Sequence, residues 1–283
     1  YEPGSTGKVM TLAAALEEKQ ITPETVLTVP YSLKRGGSKF HDHERHPVQK
    51  LTTSGILAVS SNTGTIKIGE LLSNETLHSY LAKFGIGKST GSGLPGESAG
   101  LFRPVNDWSA TTAPTMAFGQ GYSLTAMQAT SIFSTIANNG VRVSPTVISG
   151  TTDSSGKFTS AQGRVTERVI SAKTAKELRI MMESVVSIHG TAPSAAIPGY
   201  RVAGKTGTAM RFNTECGCYK GYTASFIGFA PADNPKYVIS VTIQDPKDGH
   251  YGGSLGGPVF KKVMTFVLQS EHVAPTGTKV MPV

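Results

Sequence analysis

A serine and a lysine lie one helical turn apart near the start of the chain, in the run Tyr-Glu-Pro-Gly-Ser-Thr-Gly-Lys that ends at Lys8. Turn residues precede Ser5 and apolar residues follow Lys8 at helical spacing, so a helix is predicted to begin at or just after Ser5. One turn of that helix brings the Lys8 amine over the Ser5 hydroxyl. Such a pair works as nucleophile and base once the lysine loses its proton. Because Ser-x-x-Lys is a common sequence, the pair taken alone equally describes a helix cap and a solvated lysine.

Two later segments carry residues suited to the same chemistry. Residues 60–62 (Ser-Ser-Asn) lie between two predicted helices, and residues 205–208 (Lys-Thr-Gly-Thr) lead into a predicted strand. In this order the three motifs resemble the set found in serine β-lactamases and penicillin-binding proteins. The longer first motif resembles the class B penicillin-binding proteins, which are peptidoglycan D,D-transpeptidases, and most of all their division-type, actinobacterial members. Further matching segments are residues 119–121, 222–231, 252–253 and 258–260, so the resemblance covers nearly the whole chain.

The resemblance implies acyl transfer from a D-Ala-D-Ala stem peptide through an ester on Ser5, with covalent inhibition by β-lactams. The implied partners are stem peptides, β-lactam antibiotics and divisome proteins that include a glycosyltransferase. The implied location is the extracytoplasmic face of the bacterial cell membrane, with an anchor upstream of Tyr1. No cofactor and no metal are expected. A nucleic-acid partner is not expected either, since no arginine-rich or aromatic-interleaved patch accompanies the formal charge of +8.

The resemblance also implies a role for each motif residue. Ser60 is expected to pass a proton to the leaving amine, and the Asn62 amide to contact Lys8 and the substrate. Gly207 is expected to leave the strand backbone open, so that an extended substrate can pair with it. The expected catalytic residues are Ser5, Lys8, Ser60, Asn62 and Lys205; the expected oxyanion donors are the backbone N–H groups of Ser5 and Thr208; the expected substrate-binding residues are Thr206, Gly207 and Thr208.

Lys8 can act as a base only if it is neutral. That requires its pKa to fall by roughly three units from an ordinary value of ~10.4. The positive end of the helix dipole and the like charge of Lys205 are the two expected causes, with partial burial supplying the rest.

Three other functions remain open from the residues. A serine β-lactamase shares the motifs, but position 61 is Ser where those enzymes usually have Asp, and no glutamate for activating a deacylating water is identifiable. A D,D-carboxypeptidase and a non-catalytic penicillin-binding sensor domain are the remaining alternatives. The lifetime of a penicillin adduct separates these possibilities.

The order of the elements predicts an α+β fold of the penicillin-binding-protein type, with an antiparallel sheet between helices. A largely helical first part precedes three strand-like runs near residues 200–210, 222–229 and 237–243. Residues 1–271 are expected to form a transpeptidase domain that lacks its N-terminal strands, and residues 272–283 a loosely held tail. Residues 237–243 are apolar on both faces, so the upstream strands are expected to pair along that run.

Several local features are also predicted. Residues 21–50 are expected to be irregular, and their three histidines fit no metal-ligand spacing. Asn62 is expected to cap the helix that follows it. A final helix over residues 255–268 is expected to turn Val259, Val263 and residues 266–267 inward. Cys216 and Cys218 are compatible both with a disulfide and with free thiols.

Overall fold

The computed structural model describes residues 1–161, 164–213 and 216–277. Its central element is helix α1 (Lys8–Glu17), which a 3₁₀ turn (Gly4–Gly7) precedes. Every residue of α1 from Lys8 to Leu16 is buried, because small and branched apolar side chains occupy all sides of the helix. The start of α1, with Lys8, therefore lies in the interior.

Several helices begin at capping side chains. Ser171 accepts a bond from the Thr174 backbone N–H, and Thr125 forms a capping box with Gln128. Ser61, and not Asn62, caps the helix after the second motif, which corrects the prediction for Asn62. The further helices are α2 (Thr53–Ala58), α3 (Asn62–Gly69), α4 (Asn74–Lys83), α5 (Thr112–Ala117), α6 (Ala126–Ala137), α7 (Ala172–Glu183) and α8 (Gly252–Ser270).

Among the described residues, four antiparallel ribbons of two short strands each lie outside the main sheet. Two of these ribbons lie within residues 21–52, which corrects the prediction that residues 21–50 are irregular. These strands are mostly half-buried or exposed, so they carry no regular apolar alternation. The ribbons are β1 (Val26–Val29) with β4 (Gln49–Thr52), β2 (Ser32–Arg35) with β3 (Ser38–His41), β5 (Val141–Val143) with β8 (Thr166–Arg168), and β6 (Gly150–Thr152) with β7 (Phe158–Ser160).

The main sheet is an antiparallel meander, as predicted. Its strands are β9 (Ala203–Asn213), β10 (Cys218–Ala230) and β11 (Tyr237–Gln244), in the spatial order β11-β10-β9. With helices in the first part of the chain and this sheet in the last, the α+β prediction is confirmed.

Helical segments cover both faces of this sheet. On one face the Phe226 ring of β10 packs against Phe260 of α8, with ring centroids 4.8 Å apart. On the other face Gly207 of β9 lies against the 3₁₀ turn, where an added Cβ would be 3.0 Å from the Thr6 methyl carbon. The motif-bearing strand and the start of α1 are therefore in direct contact.

Helix α8 turns a different stripe inward from the one predicted. Two stripes of this helix have nearly the same apolar periodicity, so the sequence pattern alone does not choose between them. Glycines decide the choice because they let the helix approach the sheet: a Cβ on Gly256 would lie 2.9 Å from the Phe226 Cβ. The buried stripe is Phe260, Met264 and Leu268; the exposed stripe is Val259, Val263 and Phe266, with Val267 half-buried.

Strand β11 pairs with β10 along one edge only. No strand from residues 1–161, 164–213 or 216–277 pairs along its other edge. That further strands pair there stays a prediction.

The described part of the C-terminal tail makes hydrogen bonds to the domain, and its loose attachment stays a prediction. The Tyr200 hydroxyl donates to the Val273 carbonyl at 2.6 Å, and the Gly277 N–H donates to the Gly199 carbonyl at 3.1 Å. Residues 278–283 of the predicted tail lie outside the described residues.

Cys216 and Cys218 form a disulfide at the end of the β9–β10 hairpin. Of the two alternatives that the sequence left open, the structure therefore contains the disulfide.

Candidate active site

A cleft of about 610 Å³ forms where the first 3₁₀ turn, the α2–α3 turn and β9 converge. All three sequence motifs contribute side chains to its walls. The fold therefore brings together residues that are up to two hundred positions apart in the chain. The motif residues that line the cleft are Gly4, Ser5, Ser60, Ser61, Asn62, Thr206 and Thr208.

Close backbone packing fixes the turn that carries Ser5. The Gly4 N–H donates to the Gly119 carbonyl at 2.8 Å, and a Cβ on Gly119 would lie 1.8 Å from the Gly4 carbonyl oxygen. A Cβ on Gly207 would likewise lie 3.0 Å from the Pro3 carbonyl oxygen. Gly207 is thus required for packing β9 against this turn, in addition to the substrate access that the sequence suggests. The Ser5 hydroxyl makes no hydrogen bond within the described part of the chain.

Lys8 is fully buried beneath the cleft. Its amine donates to the Ser60 carbonyl oxygen and, at 3.2 Å, to the Ser60 hydroxyl. Burial lowers the pKa of Lys8 to about 7, while the negative charge of Asp42 acts in the opposite direction. Loss of hydration is thus the main cause of the shift, whereas the sequence predicted the helix dipole and the charge of Lys205 as the main ones. A substantial fraction of Lys8 is neutral near pH 7, as a base for Ser5 must be.

Lys205 reaches the same serine from the opposite side. It is also fully buried, and its amine donates to the Ser60 hydroxyl at 2.8 Å. Burial, followed by the charge of Lys8, lowers the pKa of Lys205 well below its ordinary value. The Ser60 hydroxyl therefore accepts from two amines, which its two lone pairs permit. This arrangement links the two lysines through the Ser60 hydroxyl, in the wall of the cleft that Ser5 also lines. Among the described residues, the predicted contact of the Lys8 amine with the Ser5 hydroxyl is not made as a hydrogen bond.

The turn at Ser60 is unusual in its backbone. Ser60 has a φ of 61°, a left-handed conformation that residues with side chains rarely adopt. In this conformation the Ser60 carbonyl faces Lys8, and the Ser60 hydroxyl faces both lysines.

Asn62 lies in the cleft, but not in the contact that the sequence predicts. Its amide nitrogen donates to the His41 carbonyl at 3.0 Å. Among the described residues no hydrogen bond joins Asn62 to Lys8, whose amine is occupied by Ser60. Asn62 is instead tied to the end of β3, and it lines the cleft.

Strand β9 forms the cleft wall opposite the Ser60 turn. The Thr206 hydroxyl is within 2.8 Å of the Thr191 hydroxyl, and the Thr208 hydroxyl accepts from the Gly252 N–H at 3.3 Å. β9 pairs with β10 on one side only among the described strands. Its outer edge can therefore offer backbone N–H and C=O groups to an extended ligand.

The sequence did not single out several residues that complete the site. Asp42 is buried and bonded to the second motif, and Tyr251 meets His43 across the cleft with its hydroxyl 2.7 Å from the His43 Nε2. Asp42 and His43 follow β3 in the segment predicted to be irregular, where no periodicity marked them. Of the family-like segment at residues 119–121, only Gln120 lines the cleft.

Comparison with known proteins agrees with this geometry. The family model described as "Penicillin binding protein transpeptidase domain" matches residues 1–265. The chain belongs to this transpeptidase family. It is 41% identical to the penicillin-binding protein PbpB of Mycolicibacterium smegmatis, over 96% of this chain and 44% of that protein. It is 35% identical to a probable peptidoglycan D,D-transpeptidase PenA of Neisseria flavescens, over 97% of this chain and 66% of that protein.

Solved structures show the same transpeptidase domain. Penicillin-binding protein 3 of Mycobacterium tuberculosis complexed with aztreonam has a TM-score of 0.94 and 39% identity, covering all of this chain and 65% of that one. The resemblance to actinobacterial class B proteins is therefore confirmed. The chain spans about half the length of the mycobacterial relatives that it matches. Among the described residues, no helix of this transpeptidase domain has the length and apolar character of a membrane-crossing segment.

The histidines beside the transpeptidase cleft have protein partners. His46 bonds to the Asp42 carboxylate at 3.0 Å, and His41 Nδ1 lies 2.8 Å from the Asp42 carbonyl oxygen. Within the residues that the structure describes, no group of three or more His, Cys, Asp or Glu side chains is arranged to hold a metal ion.

Proposed function

We propose that the domain is a peptidoglycan D,D-transpeptidase that works through a Ser5 acyl-enzyme. The observation that carries this proposal is the meeting of two fully buried lysines on the Ser60 hydroxyl, in the wall of a cleft that is also lined by Ser5. Relatives named as penicillin-binding proteins and D,D-transpeptidases support it, as do related structures complexed with aztreonam and ampicillin.

The first half-reaction forms the ester. The Ser5 oxygen attacks the carbonyl carbon of the penultimate D-Ala while neutral Lys8 takes the hydroxyl proton. The backbone N–H groups of Ser5 and Thr208 stabilise the oxyanion, each such donor contributing roughly 3 kcal/mol. The C–N bond to the terminal D-Ala then breaks, and its nitrogen receives a proton from Lys8 by way of the Ser60 hydroxyl.

The second half-reaction transfers the acyl group. The amine of another stem peptide attacks the ester carbonyl, its proton passes to Lys8, and the Ser5 oxygen leaves with a proton returned from the same base. Lys205 and the hydroxyls of Thr206 and Thr208 bind the terminal carboxylate of the donor. The edge of β9 at Gly207 pairs with the donor backbone, and Asn62 holds the substrate amide.

The proposal extends to the role of the whole protein. Peptidoglycan synthesis outside the cytoplasm is supported by relatives whose names include peptidoglycan D,D-transpeptidase FtsI of Buchnera aphidicola. On this basis we place the intact protein at the extracytoplasmic face of the membrane, anchored upstream of Tyr1. Its proposed partners are divisome proteins, including a glycosyltransferase.

A fluorescent penicillin tests the reaction. We expect a covalent adduct on the peptide that contains Ser5, identified by mass spectrometry, and its loss in Ser5→Ala. The adduct should persist for many minutes, because no side chain has been identified to activate water at the ester. An adduct that survives in Ser5→Ala refutes the role of Ser5. Rapid, repeated hydrolysis of nitrocefin would indicate a β-lactamase instead.

A further inference from the structure

Asp42 is a buried carboxylate in a segment of otherwise exposed side chains. It lies directly after β3, between His41 and His43, yet only 6% of its surface is accessible. A carboxylate in such a place needs hydrogen bonds that compensate for its lost hydration. The sequence motifs assign it no role.

The bonds of Asp42 go to the second motif. Its Oδ2 atom accepts from the Ser61 hydroxyl at 2.6 Å, and its Oδ1 atom accepts from the Thr63 backbone N–H at 2.8 Å. The Thr63 hydroxyl lies 3.3 Å from Oδ2, and His46 Nε2 lies 3.0 Å from it. Asp42 therefore holds the start of α3 at both its capping side chain and its backbone.

This anchoring determines where Ser60 can be. Ser61 and Thr63 directly follow Ser60, whose left-handed backbone conformation needs support from its surroundings. The carbonyl and hydroxyl of Ser60 are the acceptors for the Lys8 amine. Releasing the start of α3 would therefore free Ser60 to leave Lys8.

The charge of Asp42 also acts on Lys8. It raises the pKa of Lys8 against the larger lowering that burial causes. Other charged groups nearby are Lys205, which reaches Ser60 from β9, and His46, which bonds to Asp42 from the same loop. Glu44 and Arg45 of that loop also line the cleft. The pKa of His46 is itself raised: burial opposes the rise, and the bonds to the Pro47 carbonyl and to Asp42 produce it.

We propose that Asp42 is a positioning residue of the acylation reaction, which holds the Ser60 turn against Lys8 and tunes that base by its charge. The inference rests on the proposed Ser5 acylation. It predicts two separable effects: a geometric one on the maximal rate, and an electrostatic one on the pH at which the rate rises.

Two substitutions separate these effects. Asp42→Asn keeps the shape of the side chain and removes its charge, whereas Ser61→Ala removes the shortest hydrogen bond and keeps the charge. The readout is the rate constant of acylation by fluorescent penicillin at saturating concentration, measured from about pH 5 to about pH 9. Thermal denaturation of each variant checks that it is folded.

We expect Asp42→Asn to lower the plateau rate by roughly tenfold to a hundredfold, since a misplacement of about 1 Å can cost that much. Its midpoint should move to lower pH by about half a unit or more, because the charge that favours protonated Lys8 is gone. Ser61→Ala should lower the plateau and keep the wild-type midpoint.

Three results would overturn the inference. The first is an Asp42→Asn variant whose plateau acylation rate and pH midpoint both equal those of the wild type. The second is an Asp42→Asn variant with a lowered plateau rate and an unchanged midpoint, which would indicate a merely structural role. The third applies if Asp42→Asn does not fold, and it is a wild-type acylation rate in Ser61→Ala. A wild-type protein that is not acylated at Ser5 refutes the proposed function itself, so the two failures are distinguishable.

Discussion

Two pairs of charge-bearing side chains in this domain, one partly buried and one fully buried, are compensated in opposite ways. Arg201 and Glu183 form a two-pronged ion pair, with N–O distances of 2.9 and 2.6 Å, just before β9 begins. Lys8 and Lys205 carry the same kind of charge and share one neutral hydroxyl, that of Ser60. In the first pair each charge is compensated by the opposite charge of its partner. In the second pair the charges are alike, so the lysines can be buried together only if protons are lost.

The difference shows what each pair contributes. The ion pair raises the pKa of Arg201, chiefly through its hydrogen bonds to Glu183, so Arg201 stays charged and connects the segment before β9 to the end of α7. In the lysine pair, burial lowers the pKa of Lys8 to about 7, so the folded state holds a reactive amine at a cost in stability. The ion pair therefore stabilises the fold, whereas the lysine pair provides reactivity at a cost in stability. The two roles fall on separate groups, as a stability–activity trade-off predicts.

The largest effect is expected from Lys8→Met. Acylation by penicillin should fall by about 10³-fold, since general-base catalysis contributes roughly 10²–10⁴. The same variant should be more stable at pH 7.5, by about 1 kcal/mol or roughly 3 °C in melting temperature. A stopped-flow acylation assay and calorimetry measure the two effects. A destabilised variant would show that Lys8 is a structural group.

The stability gain of Lys8→Met should depend on pH with a defined sign. Between the folded pKa of about 7 and the ordinary value of 10.5, the unfolded chain binds a proton that the folded chain does not. The stability of the wild type therefore rises with pH across this window. We expect the advantage of Lys8→Met to shrink as pH rises towards 10.5. An advantage that is constant with pH would contradict the lowered pKa.

Glu183→Gln should destabilise the domain without changing the chemistry. Breaking the pair leaves Arg201 partly buried and unpaired, which should cost about 2–3 kcal/mol in the free energy of unfolding. Chemical denaturation measures the loss. The acylation rate of the remaining folded protein should stay near wild type, and a large fall in that rate would couple the two pairs.

Lys205→Met should lower the acylation rate by roughly tenfold to a hundredfold and leave the midpoint of its pH profile in place. The reason is that burial, and not the charge of Lys205, lowers the pKa of Lys8. An upward shift of the midpoint would restore the like-charge explanation that the sequence suggested.

The smallest effect is expected from Lys173→Gln, a matched control on the same helix as Glu183. The Lys173–Glu177 pair spans 3.9 Å and Lys173 is 85% exposed. Removing it should change stability by no more than about 0.5 kcal/mol. A stability change as large as that of Glu183→Gln would mean that burial does not determine how much each ion pair contributes to the free energy of unfolding.

Motif spacing was enough to predict that Lys8, Ser60 and Lys205 meet at the cleft that Ser5 lines, because each motif lies at a helix start, a tight turn or a strand. It was not enough for Asp42, since a single buried carboxylate in a polar stretch leaves no periodic signal. For α8, two stripes of side chains have the same apolar periodicity, so the pattern does not predict which one is buried. Close contact between the glycines of α8 and the sheet determines the buried stripe. In each case the deciding contact joins residues that are distant in the chain.

The most direct test of the account is the pH dependence of Ser5 acylation in the wild-type domain. The first-order rate at saturating penicillin should rise through a midpoint near pH 7, the pKa of buried Lys8, and then reach a plateau. The adduct should be on Ser5 at every pH. A midpoint above about pH 9, close to the ordinary pKa of lysine, would show that Lys8 is not the lowered-pKa base on which the account depends.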